Sequence, residues 1–268
     1  MDLDQINRVG TAAAYGGGEI LRKYFGNLIR VRKKGDIDLV TEADLESEQK
    51  IIASIRKVFP DHSILAEESG HTDGTKDHQW IIDPLDGTTN FAHRLPIYAI
   101  SIAFALKGEP IMGMVLNPAS GEFFTATRGQ GARLNAKPIR VSNIARMMDT
   151  LLGTGFPYDT DGIIEDLMAR FTNCLKATQG IRRLGSAALD LCYVACGWID
   201  GFWEQNLNPW DTAAGALIVS EPGGKVTDFK GQAYHPEDNQ ILATNSRIHK
   251  NMLKLLTIRR RHEDKHVI

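Results

Sequence analysis

Residues 80–91 read WIIDPLDGTTNF and place two acids directly behind a short apolar run. Trp80 to Ile82 predict the end of a buried strand, the next four residues predict a turn, and the glycine that follows lets a ligand approach the backbone closely. Asp83 and Asp86 are three residues apart, so both carboxylates would project to one side of a turn or a first helical turn. Carboxylate oxygens that face one point favour Mg²⁺.

The same residues also suit a structural interpretation, in which Asp83 ends the strand and Asp86 caps a helix. Two further acidic segments shift the balance toward a binding site. Glu67-Glu68 follows a predicted strand, and Asp211 follows Pro209-Trp210 at the start of a small-residue helix. Carboxylates at such junctions lie where α/β proteins place their sites.

These acidic segments, in this order and at this spacing, resemble the three signature motifs of the inositol monophosphatase family. The segments are Glu67-Glu68-Ser69, residues 80–91, and WDTAAG at residues 210–215. The resemblance runs from about residue 5 to about residue 255 and is closest to the bacterial members. It implies a Mg²⁺-dependent, lithium-sensitive phosphomonoesterase with an α+β fold, the layered α/β/α/β/α sandwich of the sugar phosphatases.

The resemblance also implies a metal site and a way to activate water. It implies two Mg²⁺ ions, and allows a third, weaker one near Glu67. The implied ligands are Glu67, Asp83, the carbonyl of Leu85, Asp86 and Asp211. Thr88, with Asp44 behind it and Glu67 beside it, would orient and deprotonate a metal-activated water. Thr41 and Asp44 also have the spacing of a helix capping box, so a structural role for Asp44 stays open.

A lysine-glycine loop and a set of substrate contacts complete the implied site. Lys33 or Lys34 would help to hold metal and water. The implied substrate-binding residues are Asp86, Gly87, Thr88, Gly185, Ser186, Ala187, Glu204 and Asp211. Ser186 is explained as readily by an ordinary helix N-cap.

Inositol 1-phosphate is the expected substrate, because Glu204 and the turn at residues 185–187 match the polyol contacts of the family. Fructose 1,6-bisphosphate and nucleotide 3′-phosphates are the alternatives, since relatives act on them. A bisphosphate would need a second basic cluster, for which the chain offers Arg182-Arg183.

The chain has 268 residues, 43% of them hydrophobic and 24% charged, with a net charge of -2. This near neutrality argues against nucleic-acid binding through bulk charge, and no apolar run approaches the roughly 20 residues that cross a bilayer. The acidic N-terminus is unlike a signal peptide, so we expect a cytoplasmic protein. The resemblance and the apolar segment 95–100 favour a homodimer. The alternative of another class is a regulatory protein that keeps the metal site and binds an RNA or a transcription factor.

Apolar periodicity predicts helices and strands along the whole chain. The predicted helices are 3–25, interrupted at Gly16-Gly17-Gly18, and 41–59, 163–175, 186–197, 211–220 and 248–256. The predicted strands are 63–67, 79–82, 99–106, 111–116, 122–126, 133–135, 150–155, 199–203 and 241–244, with a polar loop at 69–78. A linker near 137–148 divides the chain into residues 1–140, which carry most metal ligands, and residues 141–268, which carry Asp211 and the specificity residues.

Overall fold

The computed structural model describes residues 2–27, 31–33 and 39–258, with the backbone alone at residues 31–33, 39, 40 and 76. The side chains of Lys33 and Lys34, which the sequence suggested near metal and water, lie outside the described part. Among the described residues, no helix combines the length and the apolar character that a membrane span requires.

The described chain contains helices and strands in mixed order. The helices are α1 (Leu3–Tyr24), α2 (Glu42–Arg56), α3 (Thr88–Ala92), α4 (Ile164–Ala177), α5 (Ala187–Ala195), α6 (Pro209–Ser220) and α7 (His249–Leu256). The strands are β1 (Val31–Lys33), β2 (Leu39–Thr41), β3 (His62–Ala66), β4 (Gly70–Thr72), β5 (Thr75–Asp86), β6 (Ala99–Leu106), β7 (Glu109–Asn117), β8 (Glu122–Thr127), β9 (Ala132–Leu134), β10 (Lys137–Pro138), β11 (Leu151–Thr154), β12 (Gly180–Arg182), β13 (Gly201–Gln205), β14 (Lys225–Thr227) and β15 (Gln240–Thr244).

Two large sheets organise these elements, beside a small β1-β2 hairpin. The larger sheet has eight strands in the order β10-β9-β8-β7-β6-β5-β3-β4. Its pairs are antiparallel except for β3 and β5, which run parallel. The smaller sheet has the order β12-β11-β13-β15-β14, with β11 parallel to both of its neighbours. Short turns explain the antiparallel meander from β6 to β9, because such connections permit only antiparallel pairing.

Helices cover both faces of each sheet and produce the layered α/β/α/β/α sandwich that the sequence predicted. Helices α1 and α2 pack on one face of the larger sheet, where their core includes Ile6, Ile51 and Ile82. Helices α5 and α6 fill the space between the two sheets, where Ile81 joins Leu189 and Phe202. Helices α4 and α7 cover the outer face of the smaller sheet. Ile81 and Ile82 belong to different cores because successive strand residues point to opposite faces.

Three local predictions need correction. Residues 83–86 are not a free turn, because β5 continues to Asp86 with a break in its register between Asp83 and Asp86. The polar loop at 69–78 instead contains β4 and the beginning of β5, which are stabilised by main-chain pairing that polar residues do not prevent. Helix α1 is not interrupted at its three glycines, since they allow close packing: a Cβ at Gly17 would lie 2.8 Å from Ser47 Oγ.

Other boundaries moved by a few residues. The strand predicted at 199–203 is β13, Gly201–Gln205, and α2 ends at Arg56 instead of residue 59. Residues 137–148 are not purely a linker, since β10 pairs with β9 there. The division of the chain at residue 140 stays a prediction.

Gly113→Ala should destabilise the protein, because helix α6 lies directly on β7 at that residue. A Cβ at Gly113 would lie 2.7 Å from the carbonyl oxygen of Ala214, and backbone cannot rotate aside as a side chain can. We expect the free energy of unfolding to fall by about 1 to 3 kcal/mol, measured by urea denaturation. Gly180→Ala is the matched control, since its nearest neighbour would be 3.4 Å away. Equal stability of the two variants would contradict this packing.

Candidate active site

The register break at the end of β5 positions the central pair of acids. Asp83 is 1% exposed, and its Oδ1 accepts a hydrogen bond of 2.9 Å from the amide of Leu85. Gly87 follows with φ of 90°, in the left-handed region that favours glycine, and α3 begins at the next residue. A Cβ at Gly87 would lie 2.9 Å from the carbonyl oxygen of Ile97. Glycine is therefore required here for both its conformation and its lack of a side chain.

Asp86 links the larger sheet to the helix layer between the sheets. Its Oδ2 accepts hydrogen bonds from Ser186 Oγ at 2.5 Å and from the amide of Ala188 at 2.8 Å. Ser186 is at the same time the N-cap of α5, because its Oγ accepts a hydrogen bond from the amide of Leu189. The N-cap and the binding-site interpretations of Ser186 therefore describe the same geometry.

Thr88 joins the strand end to helix α2. Its Oγ1 lies 3.0 Å from the carbonyl oxygen of Leu85 and 3.3 Å from Asp44 Oδ1, and its single hydrogen can be donated to either oxygen. The other carboxyl oxygen of Asp44 accepts hydrogen bonds from the amide and the hydroxyl of Thr41, in a complete capping box. Asp44 thus has one oxygen for the helix and one for Thr88.

Asp211 and Glu67 approach from the remaining sides. Asp211 lies in the first turn of α6, where Pro209 occupies the first helical position, and its Oδ2 accepts a hydrogen bond of 2.7 Å from the amide of Asn208. Glu67 follows β3, and its amide donates to the carbonyl oxygen of Ile82 at 3.1 Å. The parallel pairing of β3 with β5 thus places Glu67 beside the two aspartates of the β5 end.

A cavity of about 180 Å³ lies where these elements meet. The sequence-predicted site residues that line it are Glu67, Asp83, Leu85, Asp86, Gly87, Thr88, Gly185, Ser186, Ala187, Glu204 and Asp211. Asp44 does not line the cavity and reaches it through Thr88. Arg183 lines it without Arg182 beside it, so the expected basic pair contributes one cation.

Several lining residues were not predicted from the sequence. They are residues 155–158 (GFPY), Asp190, and residues 206–208 (NLN). Asp190 had a usable signal, as an acid within the apolar segment 187–195. The loops at residues 155–158 and 206–208 gave no such signal, because their residue types are typical of turns in general.

Like charges crowd this cavity. Burial first, and neighbouring carboxyl groups second, raise the pKa of Asp83 well above its ordinary value; these neighbours are Glu67, Asp86 and Asp211. Burial also raises the pKa of Asp86 to about 6, although hydrogen bonds from Ser186 and the α5 amides oppose the shift. Burial, and then the charge of Asp86, raise the pKa of Asp211 well above its ordinary value. The site therefore carries more negative charge than its surroundings stabilise.

The donor set fits a hard divalent cation. Carboxylate and carbonyl oxygens are the ligands that Mg²⁺ prefers, and a cation would remove the repulsion that raises these pKa values. Within the described residues, no three acidic or histidine side chains already stand in the geometry of a formed metal site. Ion binding therefore requires small shifts of these side chains.

Glu204 lines the cavity from near the end of β13. Its carboxyl group occupies the space beside Gly155, where a Cβ would lie 2.0 Å from Glu204 Oε2. Burial raises the pKa of Glu204 to about 8, while the positive charge of Arg183 opposes the shift. At neutral pH this carboxyl is largely protonated, and it can donate a hydrogen bond as well as accept one.

Comparisons with known proteins agree with the motif resemblance. The profile described as the inositol monophosphatase family matches residues 2–263. The chain is 44% identical over 252 residues to the Nus factor SuhB of Pseudomonas aeruginosa, covering 91% of this chain and 93% of the relative. It is 43% identical over 258 residues to an inositol-1-monophosphatase of Synechocystis, covering 95% of this chain and 90% of the relative.

Solved structures agree as well. The extragenic suppressor protein suhB from Bartonella henselae superposes with a TM-score of 0.91 at 40% identity, covering 94% of this chain and 98% of the other. An inositol monophosphatase from Anabaena gives 0.87 at 40% identity, covering 96% of each chain.

A divalent cation such as Mg²⁺, bound to the folded carboxylate cluster, would relieve its repulsion and should therefore raise the thermal midpoint of unfolding. At a hundred times its dissociation constant the ion adds about 2.7 kcal/mol, which raises the midpoint by about 5 to 10 °C. The gain should be larger at pH 8 than at pH 5, since raised carboxyl pKa values make protons compete with the ion. Differential scanning calorimetry measures both gains.

Two variants show whether the cluster is the origin of this gain. Asp86→Asn should reduce the shift, whereas Asp149→Asn, which changes an exposed acid paired with Arg146, should not. A shift of the same size in wild type and Asp86→Asn would place the ion elsewhere.

Proposed function

Because this chain belongs to the inositol monophosphatase family, whose named relatives include phosphomonoesterases, we propose that it hydrolyses inositol 1-phosphate and related sugar or polyol monophosphates with Mg²⁺. The cluster of carboxylates around one cavity, with a threonine hydroxyl beside it, carries this proposal. A phosphate dianion would be repelled by this cluster alone, so the substrate fits only once a cation has been bound.

The proposed ion-binding residues follow from the donor set. Glu67, Asp83 and the Leu85 carbonyl would hold one Mg²⁺, and Asp83, Asp86 and Asp211 a second. A third, weaker ion would lie near Glu67. When bound there, Mg²⁺ supplies positive charge to the phosphate oxygens and acidifies a nearby water.

The protein's own groups position the reactants. Thr88 donates its hydroxyl hydrogen toward Asp44, so that its oxygen lone pair can accept a hydrogen from the attacking water. Asp44 can receive a proton because burial raises its pKa to about 6, close to the working pH. Glu67 lines the cavity beside Thr88 and would share in deprotonating the water. The amides of Gly87 and Thr88 would meet the phosphate oxygens.

The alcohol would lie toward the other half of the chain. Glu204 and the turn at residues 185–187 line that side of the cavity and offer hydroxyl-binding groups. A bisphosphate substrate is less well supported, because Arg183 is the one basic residue in the described part of the chain that lines the cavity, and Arg182 donates to the carbonyl oxygen of Ile181. Nucleotide 3′-phosphates remain the runner-up substrate class of the same chemistry.

A phosphate-release assay tests the proposal directly. Inositol 1-phosphate, fructose 1,6-bisphosphate and a nucleoside 3′-phosphate should be compared with and without Mg²⁺. The expected result is Mg²⁺-dependent release that is fastest from inositol 1-phosphate. Absence of release from every ester at saturating Mg²⁺ would refute the phosphatase.

Regulation of transcription is the second candidate function, because relatives that are 44% identical are named Nus factors. Activity and partner binding can reside on one chain. A Thr88→Ala variant that retains binding to a transcription complex would separate the two, and failure of the wild type to bind would remove this candidate.

Lithium inhibition and a homodimer are further proposals. Both rest on the family, because residues 98–100 of the apolar segment that also suggested a dimer are buried within the chain itself, while Leu95 stays exposed. A Li⁺ titration at high Mg²⁺ tests the first, and unchanged turnover would contradict it. Light scattering at micromolar concentration tests the second, and a monomer mass would contradict it.

Thr88→Ala should lower kcat by roughly 10² to 10⁴, because the hydroxyl would orient and relay the proton of the attacking water. Mg²⁺ affinity should stay close to that of the wild type, since Thr88 contributes no ion ligand. Asp44→Asn should reproduce part of the loss through the same hydrogen bond. Steady-state kinetics and calorimetric Mg²⁺ titration measure the two effects, and near wild-type turnover in Thr88→Ala would rule out its role in water activation.

A further inference from the structure

Helix α5 carries a buried acid, Asp190, within the apolar sequence AALDLCYVA. Its side chain is 1% exposed and yet lines the cavity of the candidate site. Its Oδ1 has no hydrogen-bond partner among the described residues. Buried polar atoms in folded proteins are nearly always hydrogen-bonded, so this oxygen needs a partner that the described residues do not supply. Because the side chain lines the cavity, a rotation of the carboxyl group would present this oxygen to a ligand there.

Two glycines make room for this carboxyl and for that of Glu204. A Cβ at Gly153 would lie 2.8 Å from Asp190 Oδ1, and a Cβ at Gly155 would lie 2.0 Å from Glu204 Oε2. Gly153 belongs to β11 and Gly155 follows its end, so the two positions face the same side. Any larger residue at either glycine would displace a carboxyl group. The end of β11 therefore leaves room for two acidic side chains, Asp190 and Glu204, along one wall of the cavity.

The carboxyl groups of Asp190 and Glu204 line the same cavity, so one ligand group can contact both of them. A hydroxyl between two carboxyl groups can donate to one of them and accept from the other, if the second is protonated.

The surroundings of Asp190 and Glu204 favour the protonated form of each carboxyl group. Burial, and then the nearby Glu204, raise the pKa of Asp190 well above its ordinary value, while Arg183 opposes the shift. Arg183 also opposes the rise in the pKa of Glu204, so one exposed cation faces two acids. Both acids are therefore shifted toward the neutral form, in which a carboxyl group can donate a hydrogen bond as well as accept one.

A purely structural acid in this fold has a different environment. Asp200 is also buried, but its Oδ1 accepts from Ser142 Oγ and its Oδ2 accepts from the amide of Leu151 at 2.8 Å. Asp200 thereby fixes the start of β11. Asp190 has no comparable donor at Oδ1, so stabilisation of the fold does not explain it.

We propose that Asp190 is a specificity-determining residue that binds, together with Glu204, a hydroxyl group of the polyol in the substrate. This inference rests on the phosphatase activity proposed above. It adds a hydroxyl-binding group from α5 to those expected from the sequence, and it assigns Gly153 and Gly155 the role of housing the pair.

The test compares two esters that differ only in their ring hydroxyls. Inositol 1-phosphate carries them, and cyclohexyl phosphate lacks them. The measured quantity is the ratio of kcat/KM for the two esters at saturating Mg²⁺. Asp190→Leu keeps the branched shape of the side chain and removes its hydrogen bonds, and Asp190→Ala carries the same expectation if the leucine variant does not fold. Asp190→Asn keeps hydrogen-bonding groups at the same place, and Asp200→Asn is the control for a buried structural acid.

The proposal predicts that Asp190→Leu or Asp190→Ala lowers the ratio about tenfold or more. The rate on cyclohexyl phosphate should stay within about twofold of wild type for Asp190→Leu, whose shape is kept, and Asp190→Asn should retain most of the ratio. The thermal midpoint of Asp190→Leu should not fall, because an unpaired buried carboxyl is replaced by an apolar group of similar shape. Asp200→Asn should lower the thermal midpoint and leave the ratio unchanged.

The remaining outcomes separate this inference from the proposed function. Equal losses on both esters, or an unchanged ratio in every Asp190 variant, would overturn the assignment of Asp190 while the phosphatase stands. A wild-type protein that hydrolyses both esters equally well would also overturn it. A wild-type protein that hydrolyses neither would refute the phosphatase itself, and the role of Asp190 with it.

Discussion

Mutual repulsion among buried carboxylates is the constraint on which this structure depends. Asp83, Asp86 and Asp211 come from a strand end and a helix start that belong to different halves of the chain. Burial raises the pKa of each, and acidic neighbours add to the rise for Asp83 and Asp211. Burying several acids together costs stability unless a counter-charge is present. The fold holds them in place through backbone amides and hydroxyls, which fix the carboxylates without neutralising them. This arrangement is suited to a site whose negative charge would be balanced by bound divalent cations.

The same residues hold the fold together and shape the site. Asp86 joins the larger sheet to helix α5, Asp211 closes a capping box on α6, and Asp44 does so on α2. Because a carboxyl has two oxygens, one can satisfy a helix N-terminus while the other remains directed at a ligand or at Thr88. A structural and a functional interpretation of such a residue are therefore compatible. Loss of one of these acids should affect stability and site geometry together, which is why isosteric amide variants are the informative substitutions.

The family resemblance of the three acidic segments implied the sandwich, and apolar periodicity predicted the order of the main elements, because it is a local property of the sequence. It did not predict the continuation of β5 to Asp86, since a strand with a register break around Pro84 has the composition of a turn. Polar residues 70–72 form a strand because they pair with β3, and the local propensity of these residues carries no information about that partner. Asp190 and the loop at residues 155–158 were missed because their place in the cavity depends on contacts across the smaller sheet. Such features are determined by long-range packing, about which a single sequence carries little information.

Binding of inorganic phosphate tests most directly whether cations complete this carboxylate site. Isothermal titration of phosphate into protein stripped of metal, and into the same protein saturated with Mg²⁺, compares the site with and without its counter-charge. Repulsion by the carboxylates predicts that phosphate binds measurably only when Mg²⁺ is present. Phosphate binding of equal affinity in the metal-free protein would show that the carboxylate cluster does not govern the anion, and would contradict this account.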